Sequence, residues 1–510
     1  MLTLLFAILF FSFASTSLHA ATKPNILLLI ADDYGVDSSS LYNSTNATTT
    51  LAPTPNIASL ASNGVVFSRA VSYPVCSPTR ACLLTGQYGF RTGIGDIVDN
   101  GSPLAATAFT LPKAFTNAPT GYALAQFGKW HLAFGQNTPR TVGGWTNFSG
   151  FIAGAVPNYT NWTKVVNNVA TANYTNYTTT DLVNDATNWI AARGTNAWFV
   201  WAAFNAPHTP LQNPPQNLCP SYPLNTLTNS RRQFEAMTEA LDTEIGRLLT
   251  AVNRTNTHII FLGDNGTLGS VIAPPYSSTR AKDTLYQGGT HVPLIISSPL
   301  VAQPNRTNAT PANMVDIFAT ILEMAGTSVA AAVPSTNPID GQSLVSALTA
   351  TNTLTRYAYA ELFGTNAQTV ANGGRALQNS QFKLIAFTDG HKEFYDLNAD
   401  PLELTNLVNT TMTATQSGNY YALTMKLGDY QTALAAPVIT NFAKTNAQFT
   451  VTVTRNATNS YALWRATSLD GLSWSPLTNA LVITNVSLVA LTDTNTPSSA
   501  SFYRVVASSP

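Results

Sequence analysis

The chain has 510 residues, of which 45% are hydrophobic and only 10% are charged, with 25 basic and 25 acidic side chains. This length allows a large core and more than one domain, and the apolar content excludes a largely disordered chain. The neutral charge balance argues against a nucleic-acid or other polyanion-binding surface covering the whole molecule, so no nucleic-acid partner is expected.

The first twenty residues form an apolar run that ends in small residues at Ala20. Such a run is typical of a secretory signal peptide, although it contains no Lys or Arg. We therefore expect residues 1–20 to be removed and the protein to be secreted, either into the periplasm or outside the cell. No later run is long and apolar enough to predict a membrane span.

Apolar runs alternate with helical patterns over roughly the first 330 residues. Buried strands are predicted at Pro24–Asp33, Ala197–Phe204, Thr257–Gly263 and Val292–Ser297. Amphipathic helices are predicted at Pro55–Gly64, Arg232–Val252 and Met314–Gly326. This alternation predicts an α/β fold with helices on both faces of the sheet, where active sites gather at the carboxyl ends of the strands.

Two smaller units are predicted beyond this region. Shorter strands at "FKLIAF" and "KEFYDL", between Arg356 and Leu407, indicate a smaller α+β subdomain. Alternation at Phe449, Val451 and Val453 indicates an appended β-sandwich-like module. The predicted boundaries are 21–335 for the catalytic domain, 336–435 for the subdomain and 436–510 for the module.

Trp464 and Trp474 of the module could line a sugar-binding face, but tryptophan is a common core anchor in small β domains. Core packing is therefore the preferred interpretation of both residues.

A cysteine, a proline and an arginine stand at C-x-P-x-R spacing in "CSPTRACLLTG", which runs from Cys76 to Gly86. A lone cysteine is otherwise a small buried hydrophobe or half of a disulfide. Three cysteines are an odd number for an exported protein, so at least one is unpaired, modified or bonded to another chain. If Cys76 is the special one, Cys82 and Cys219 could pair, which geometry would decide.

Oxygen-bearing side chains follow two of the predicted strands. Asp32 and Asp33 stand in "ADDYG", and Asp264 and Asn265 stand in "GDNGT". These are the hard ligands that Ca²⁺ or Mg²⁺ prefers, although either pair taken alone could be a helix cap or a turn. Cationic and imidazole side chains stand in further short motifs, at Lys129 and His131 in "FGKWHLAFG", His208 in "APHTPL" and Lys282 in "TRAKDTLYQGG".

Taken together, these motifs resemble those of the type I sulfatases in the alkaline phosphatase superfamily, over roughly Pro24 to Leu407. The resemblance implies an alkaline-phosphatase-like fold and the oxidation of Cys76 to formylglycine by a maturation enzyme that reads the C-x-P-x-R pattern. It also implies a Ca²⁺ ion, with Mg²⁺ as the alternative, held by Asp32, Asp33, Asp264, Asn265 and the modified Cys76.

The same resemblance implies a role for each remaining site residue. Arg80 and Lys129 hold the hydrated formylglycine, whose hydroxyl attacks sulfur. Lys282 and His208 stabilise the sulfate oxygens, and one of them protonates the leaving oxygen. His131 then removes the proton whose loss expels sulfate and restores the aldehyde.

Three nearby positions depart from the family, because Gln87, Asp283 and His291 stand where it frequently has Arg, Gly and Arg. Export and the added β module favour a carbohydrate sulfate over a small aryl sulfate, with loops from Gly135 and Leu268 as candidate specificity determinants.

Two alternatives remain open. One is a formylglycine-dependent phosphonate monoester hydrolase or phosphodiesterase, and the other is a non-catalytic surface binding protein that keeps the fold.

Overall fold

A computed structural model describes residues 23–43, 49–364 and 373–432, together with the segments 439–445, 448–454, 460–466, 475–477, 480–484, 488–494 and 502–508. The predicted signal peptide and Trp474 lie outside the described residues. Among the residues described, no helix combines the length and the hydropathy needed to cross a bilayer.

The first part of the chain alternates strands with helices. Its strands are β1 (Asn25–Ala31), β2 (Gly64–Phe67), β3 (Ala70–Val71), β4 (Ala123–Lys129), β5 (Asn147–Phe151), β6 (Trp162–Val166), β7 (Val169–Tyr174), β8 (Trp198–Ala203), β9 (Thr257–Gly263), β10 (Leu294–Ser297), β11 (Arg306–Asn308) and β12 (Ala312–Asn313). Its helices are α1 (Ser40–Asn43), α2 (Pro55–Ser62), α3 (Cys76–Thr85), α4 (Gly89–Thr92), α5 (Leu111–Asn117), α6 (Thr138–Thr141), α7 (Thr178–Ala191), α8 (Ser230–Thr250), α9 (Gln287–Thr290), α10 (Met314–Met324), α11 (Val329–Ala332) and α12 (Val345–Thr349).

Ten of these strands form one mixed sheet in the described part of the chain, in the order β11-β2-β10-β9-β1-β8-β4-β5-β6-β7. The five central strands, β9, β1, β8, β4 and β5, are parallel to one another. Their carboxyl ends therefore lie along the same edge of the sheet. The four predicted buried strands are all present, and the predicted mixed sheet flanked by helices is confirmed.

The sheet is covered by a hydrophobic layer on each face, as alternation along β1 shows. Ile26, Leu28 and Ile30 belong to a cluster that includes the apolar side chains of α3 and α10. Leu27 and Leu29 belong to a second cluster with those of α2, α7 and α8. Because every one of these β1 side chains is buried on one face or the other, the sequence of the strand is a continuous apolar run.

Helix α3 is buried along its whole length, from Cys76 to Thr85. It packs against α10, and its apolar side chains belong to the same hydrophobic cluster as those of β1 and α10. Gly86 ends it in the left-handed conformation at φ 68°, where the absence of a Cβ avoids strain. The helix thus carries its first residue, Cys76, into the interior of the protein.

The subdomain contains an antiparallel sheet of β13 (Ala358–Leu362), β14 (Gly374–Gln378), β15 (Phe382–Phe387) and β16 (Lys392–Asp396), followed by α13 (Ala414–Thr432). Buried Glu361 ties it to the catalytic region, because this carboxylate accepts hydrogen bonds from Tyr73 Oη at 2.9 Å and from the Phe90 backbone N–H at 2.7 Å.

The last module consists of β17 (Ile439–Thr445), β18 (Gln448–Thr454), β19 (Ser460–Ala466), β20 (Ser475–Pro476), β21 (Leu481–Thr484), β22 (Leu488–Asp493) and β23 (Phe502–Ser508). These strands form one antiparallel sheet in the order β17-β18-β22-β21 and another in the order β20-β19-β23. Val451, Leu463 and Leu491 share a small core with side chains of both sheets. Trp464 belongs to β19.

The sequence left a Cys82–Cys219 disulfide open, and in the structure all three cysteines are unpaired. Cys82 lies in the large cluster around α3, whereas Cys219 lies in a separate cluster with Ala52 and Tyr222. The two thiols are therefore buried in different parts of the core.

Candidate active site

The carboxylates of the site lie at the ends of two neighbouring strands. Asp32 and Asp33 directly follow β1, and Asp264 and Asn265 directly follow β9. Since β1 and β9 pair in parallel, these side chains meet: the Asp33 N–H donates to Asp264 Oδ1 at 3.2 Å, and Asn265 Nδ2 donates to Asp33 Oδ1 at 2.7 Å. Asp33 adopts φ 60°, a left-handed conformation that is uncommon outside glycine and points to a constrained position.

Three cations neutralise these buried acids. Lys129 Nζ lies 2.6 Å from Asp32 Oδ2, and Lys282 Nζ lies 2.6 Å from Asp33 Oδ1. The Arg80 guanidinium donates from Nε at 3.0 Å and from Nη2 at 2.7 Å to Asp264 Oδ2. Burial lowers the pKa of Lys282, but Asp33 and Cys76 outweigh it and raise this pKa well above its ordinary value. The Lys282 ammonium group therefore stays charged, and Asp264 and Asp32 likewise raise the pKa of the Arg80 guanidinium, in a setting that can hold an anion.

Cys76 begins α3 beside these cations, with its Sγ 3.8 Å from Lys282 Nζ. Burial raises the pKa of the thiol, but Lys129 and Lys282 more than offset it and hold the pKa well below its ordinary value. Position 76 is cysteine in the structure, so its Sγ stands for the oxygen atoms that a formylglycine hydrate would place there. An anionic or strongly polarised oxygen is stabilised at this position by the same two ammonium groups.

His208 follows β8 and faces Asp33, with Nε2 3.7 Å from Asp33 Oδ2. Its Nδ1 lies 2.7 Å from the Thr209 carbonyl oxygen, which can only accept, so Nδ1 carries a proton. Burial lowers the pKa of His208, but Asp33 and Asp32 raise it to about 9 overall. The imidazole is therefore cationic near neutral pH and can donate a proton from Nε2.

His131 lies two residues beyond the end of β4 and is buried. Its Nε2 is 2.7 Å from Asp99 Oδ2, and its backbone adopts φ 54°. Gly154 lies against the ring: a Cβ on Gly154 would stand 2.5 Å from Nε2 and 2.6 Å from Cε1. The ring position therefore depends on the absence of a side chain at residue 154.

The cluster fits a divalent cation. Ligand atoms of Asp32, Asp33, Cys76 and His208 all lie within 4.8 Å of one another. Within the described chain, Asp32 Oδ1 and Asn265 Oδ1 are buried and have no hydrogen-bond partner, as expected of oxygens that face a metal.

This group and the predicted ligand set share Asp32, Asp33 and Cys76. Asp264 lies outside the four-residue group, because its Oδ1 accepts from the Asp33 backbone and its Oδ2 is held by Arg80. His208, predicted as a catalytic residue, belongs to the group instead.

The three departures from the family pattern lie in different settings. Asp283 adjoins Lys282, is exposed and adopts φ 71°. His291 packs edge-on against Tyr42, with ring centroids 5.9 Å apart. Gln87 Nε2 donates to the Pro338 carbonyl oxygen at 2.7 Å. Asp283 is thus the departure that adjoins a predicted catalytic residue in the chain.

Three residues of the site were not identified from the sequence. Asp99 and Gly154 contact His131, and Ser77 Oγ donates to the His131 carbonyl oxygen at 3.0 Å. Ser77 occupies a variable position of C-x-P-x-R. Asp99 lies in a polar loop and Gly154 in an apolar one, and neither context distinguishes these residues from other loop residues.

The fold and the site define an α/β enzyme with a buried cysteine among cationic side chains and a carboxylate cluster that fits a metal ion, at the carboxyl edge of its sheet. The sulfatase family model matches residues 24–327, more than half of the chain. A second model, described as N-sulphoglucosamine sulphohydrolase, C-terminal, matches residues 280–427. The chain belongs to the sulfatase family, and it is a sulfuric ester hydrolase.

Individual relatives are distant. A sulfatase of Formosa agariphila is 27% identical over 486 residues, which cover 78% of this chain and 86% of the relative. Arylsulfatase J of Mus musculus is 26% identical over 60% of this chain and 53% of the relative, so the chain spans about half of that protein.

Solved structures show the same fold. The crystal structure of Ps i-CgsB is similar with a TM-score of 0.67 and 23% identity, over 80% of this chain and 92% of that one. A structure of BT4656 in complex with its substrate D-glucosamine-2-N,6-O-disulfate is similar with a TM-score of 0.65 and 21% identity, over 80% of this chain and 97% of that one.

Proposed function

We propose that this protein is an exported sulfatase that removes sulfate from carbohydrate esters, using a formylglycine made from Cys76 and a divalent cation, with Ca²⁺ preferred over Mg²⁺. The observation that carries the proposal is the position of Cys76 Sγ, buried beside Lys282 Nζ and within one ligand group with Asp32, Asp33 and His208. A sulfate ester is anionic and weakly electrophilic, so its hydrolysis needs a nucleophile, cationic contacts and a proton donor in one place.

Asp32, Asp33, Asp264, Asn265 and the modified residue at position 76 would hold the cation, which leaves His208 Nε2 available as the proton donor. When bound, the metal supplies positive charge that polarises an oxygen at position 76 and a sulfate oxygen. Oxygen donors of this kind suit both ions, and the preference for Ca²⁺ rests on the resemblance to the type I sulfatases.

The lysine, arginine and histidine side chains of the site each have a role in this proposal. Lys282 Nζ lies near enough to position 76 to contact a sulfate oxygen there, and His208 Nε2 can donate a proton to the leaving oxygen. Lys129 and Arg80 form ion pairs with Asp32 and Asp264, hold these carboxylates in place and supply positive charge to the site. His131 is the base assigned to the final proton removal.

The carbohydrate preference draws support from the relatives. BT4656 was solved with a sulfated glucosamine as its substrate, and Ps i-CgsB was solved in complex with k-i-k-neocarrahexaose. One curated relative is an N-acetylgalactosamine-6-sulfatase of Canis lupus familiaris, 27% identical over 64% of this chain. Together with the predicted signal peptide, these relatives favour an extracellular sulfated sugar over a small aryl sulfate.

The first test of the proposed function is the mass of the tryptic peptide Ala70–Arg80, from protein produced in the organism that naturally exports it. We expect the aldehyde or its hydrate at position 76. A fully retained thiol would contradict the formylglycine assignment. Fractionation of the same cells is expected to place the protein outside the cytoplasm, and a cytoplasmic protein that keeps residues 1–20 would contradict export.

Activity is tested by sulfate release from carrageenan, chondroitin and fucoidan fragments, compared with an aryl sulfate and a matched aryl phosphodiester. We expect turnover of at least one carbohydrate sulfate, and none in the Cys76→Ala variant. Turnover of the aryl sulfate alone would contradict the carbohydrate assignment. Faster turnover of the phosphodiester would favour the alternative hydrolase of the same superfamily.

A further inference from the structure

His131 and Asp99 form a hydrogen bond whose direction can be deduced. The Asp99 carboxylate accepts from His131 Nε2 at 2.7 Å, and this hydrogen bond holds the pKa of Asp99 below its ordinary value. Because an ionised carboxylate can only accept, Nε2 carries the proton. In a neutral imidazole the other nitrogen, Nδ1, then has the free lone pair.

Nδ1 is the ring nitrogen left to face position 76, because Asp99 holds Nε2 and the ring interacts with the Cys76 side chain. It is buried and has no hydrogen-bond partner within the described residues. The His131 ring also interacts with the Cys76 side chain, as one of the smaller causes of the lowered thiol pKa. A base with a free lone pair therefore adjoins position 76 while its opposite nitrogen is held by Asp99.

The segment that carries Asp99 is fixed relative to the nucleophile by Ser77. Asp99 lies in a short 3-10 turn, Val98–Asn100, whose first N–H donates to Ser77 Oγ at 3.1 Å. The same Oγ donates to the His131 carbonyl oxygen at 3.0 Å. Ser77 is the residue after Cys76, so a single hydroxyl links the nucleophile, the base and the turn that orients the base.

A surface ion pair would be the alternative explanation, and the chain contains one for comparison. Asp389 Oδ1 lies 2.5 Å from His391 Nδ1, but 68% of the Asp389 side chain and 50% of the His391 side chain are exposed. In the site pair the imidazole is only 4% exposed, while Asp99 is 48% exposed. Only the site pair holds a buried ring in one orientation.

We propose that Asp99 is a positioning residue that keeps the proton of His131 on Nε2 and so leaves Nδ1 free to accept a proton from a hydroxyl at position 76. This inference rests on the proposed function, in which His131 is the base. It assigns no new contact to the substrate, because Asp99 acts through His131 alone.

The first experiment reads the tautomer without any turnover. Full-length Cys76→Ser protein, which places a hydroxyl at position 76, is labelled with ¹⁵N-histidine, and the His131 signals are assigned by their loss in His131→Gln. We expect Nε2 to have the shift of a protonated nitrogen and Nδ1 that of an unprotonated one. Adding Asp99→Asn should abolish this single tautomer, whereas Asp389→Asn should not change it. A wild-type tautomer with the proton on Nδ1, or an unchanged tautomer in Asp99→Asn, would overturn the proposal.

The second experiment uses the matured enzyme. Asp99→Asn should lower kcat roughly 10- to 100-fold with little change in KM, because substrate binding is intact while the base is misaligned. Asp99→Glu, which retains the carboxylate, should recover part of the loss, and Asp389→Asn should match the wild type. Unchanged kcat in a folded Asp99→Asn enzyme would overturn the proposal. If the matured wild type hydrolyses no sulfate ester while the tautomer experiment succeeds, the proposed function fails and the orientation of His131 by Asp99 stands.

Discussion

Gly154→Ala should damage the enzyme through one added methyl group. The new Cβ would lie 2.5 Å from His131 Nε2, whereas unstrained contacts between such atoms are about 3.5 Å. The ring would have to move by about 1 Å, since its other neighbours include the fixed carboxylate of Asp99. Misplacement of a catalytic group by this distance costs on the order of 100-fold in rate, so we expect kcat to fall by about that factor.

The assay compares kcat, KM and thermal stability of the matured Gly154→Ala protein with those of the wild type. The backbone of Gly154 does not adopt a positive φ, so alanine is sterically allowed there apart from the contact with the ring. Gly418→Ala is the matched control, because an added Cβ at this position in α13 meets no atom within 4 Å. It should keep full activity and stabilise the helix by roughly 0.5–1 kcal/mol.

A Gly154→Ala enzyme with kcat within twofold of the wild type would refute the reasoning, because it would show that the position of the His131 ring does not limit the reaction. A loss of activity accompanied by unfolding would also refute it, since the effect would then not be confined to the ring.

Three further predictions concern stability and metal. Lys383 and Glu403 form an ion pair of 2.8 Å in which each side chain is 1% exposed. In urea denaturation, Lys383→Met should lower the free energy of unfolding by about 3–5 kcal/mol, because it leaves the Glu403 carboxylate buried and unpaired. The double variant with Glu403→Gln should recover much of this lost free energy. An equal loss in the single and double variants would contradict an unpaired charge as the cause. Burial lowers the pKa of His258 to about 4, so this side chain stays neutral in the folded protein, whereas the unfolded chain protonates it below about pH 6.5. The free energy of unfolding should therefore fall as the pH drops from about 6.5 towards 4, by about 2 kcal/mol near pH 5. Urea denaturation across this pH range should show a flatter pH dependence for His258→Gln. Chelation of divalent metal should abolish sulfate release and lower the melting temperature, and added Ca²⁺ should restore both. The melting temperature of Asp33→Asn should not depend on Ca²⁺. A wild-type melting temperature that chelation leaves unchanged would argue against a metal at these carboxylates.

Local signals were sufficient wherever a residue's role depends on its own strand or helix. The apolar run before Asp32 and the one before Asp264 predicted two buried strands, and parallel pairing of those strands then brought the acids together. No signal of this kind exists for Asp99, which is 32 residues from His131 in the chain and meets it only through the packing of loops.

Gly64 shows a second limit of prediction from the sequence alone. The sequence predicted that it terminates helix α2, but the helix ends at Ser62 and Gly64 is the first residue of β2. A Cβ at this position would lie 2.4 Å from the Ile296 carbonyl oxygen, so glycine is needed for a close approach between strands. The same residue type serves both purposes, and only the neighbouring strand distinguishes them.

The burial of α3 would determine when the proposed modification of Cys76 can take place. Cys76, Ser77, Thr79 and Arg80 are at most 2% exposed, Pro78 is buried as well, and Arg80 is held by a buried carboxylate. An enzyme that must grip this pentapeptide cannot reach it in the finished fold. Formylglycine formation at this position would therefore have to precede folding, so the timing of synthesis, export and folding would set the fraction of active molecules. Rapid folding in a foreign host would then yield a well-folded but inert protein.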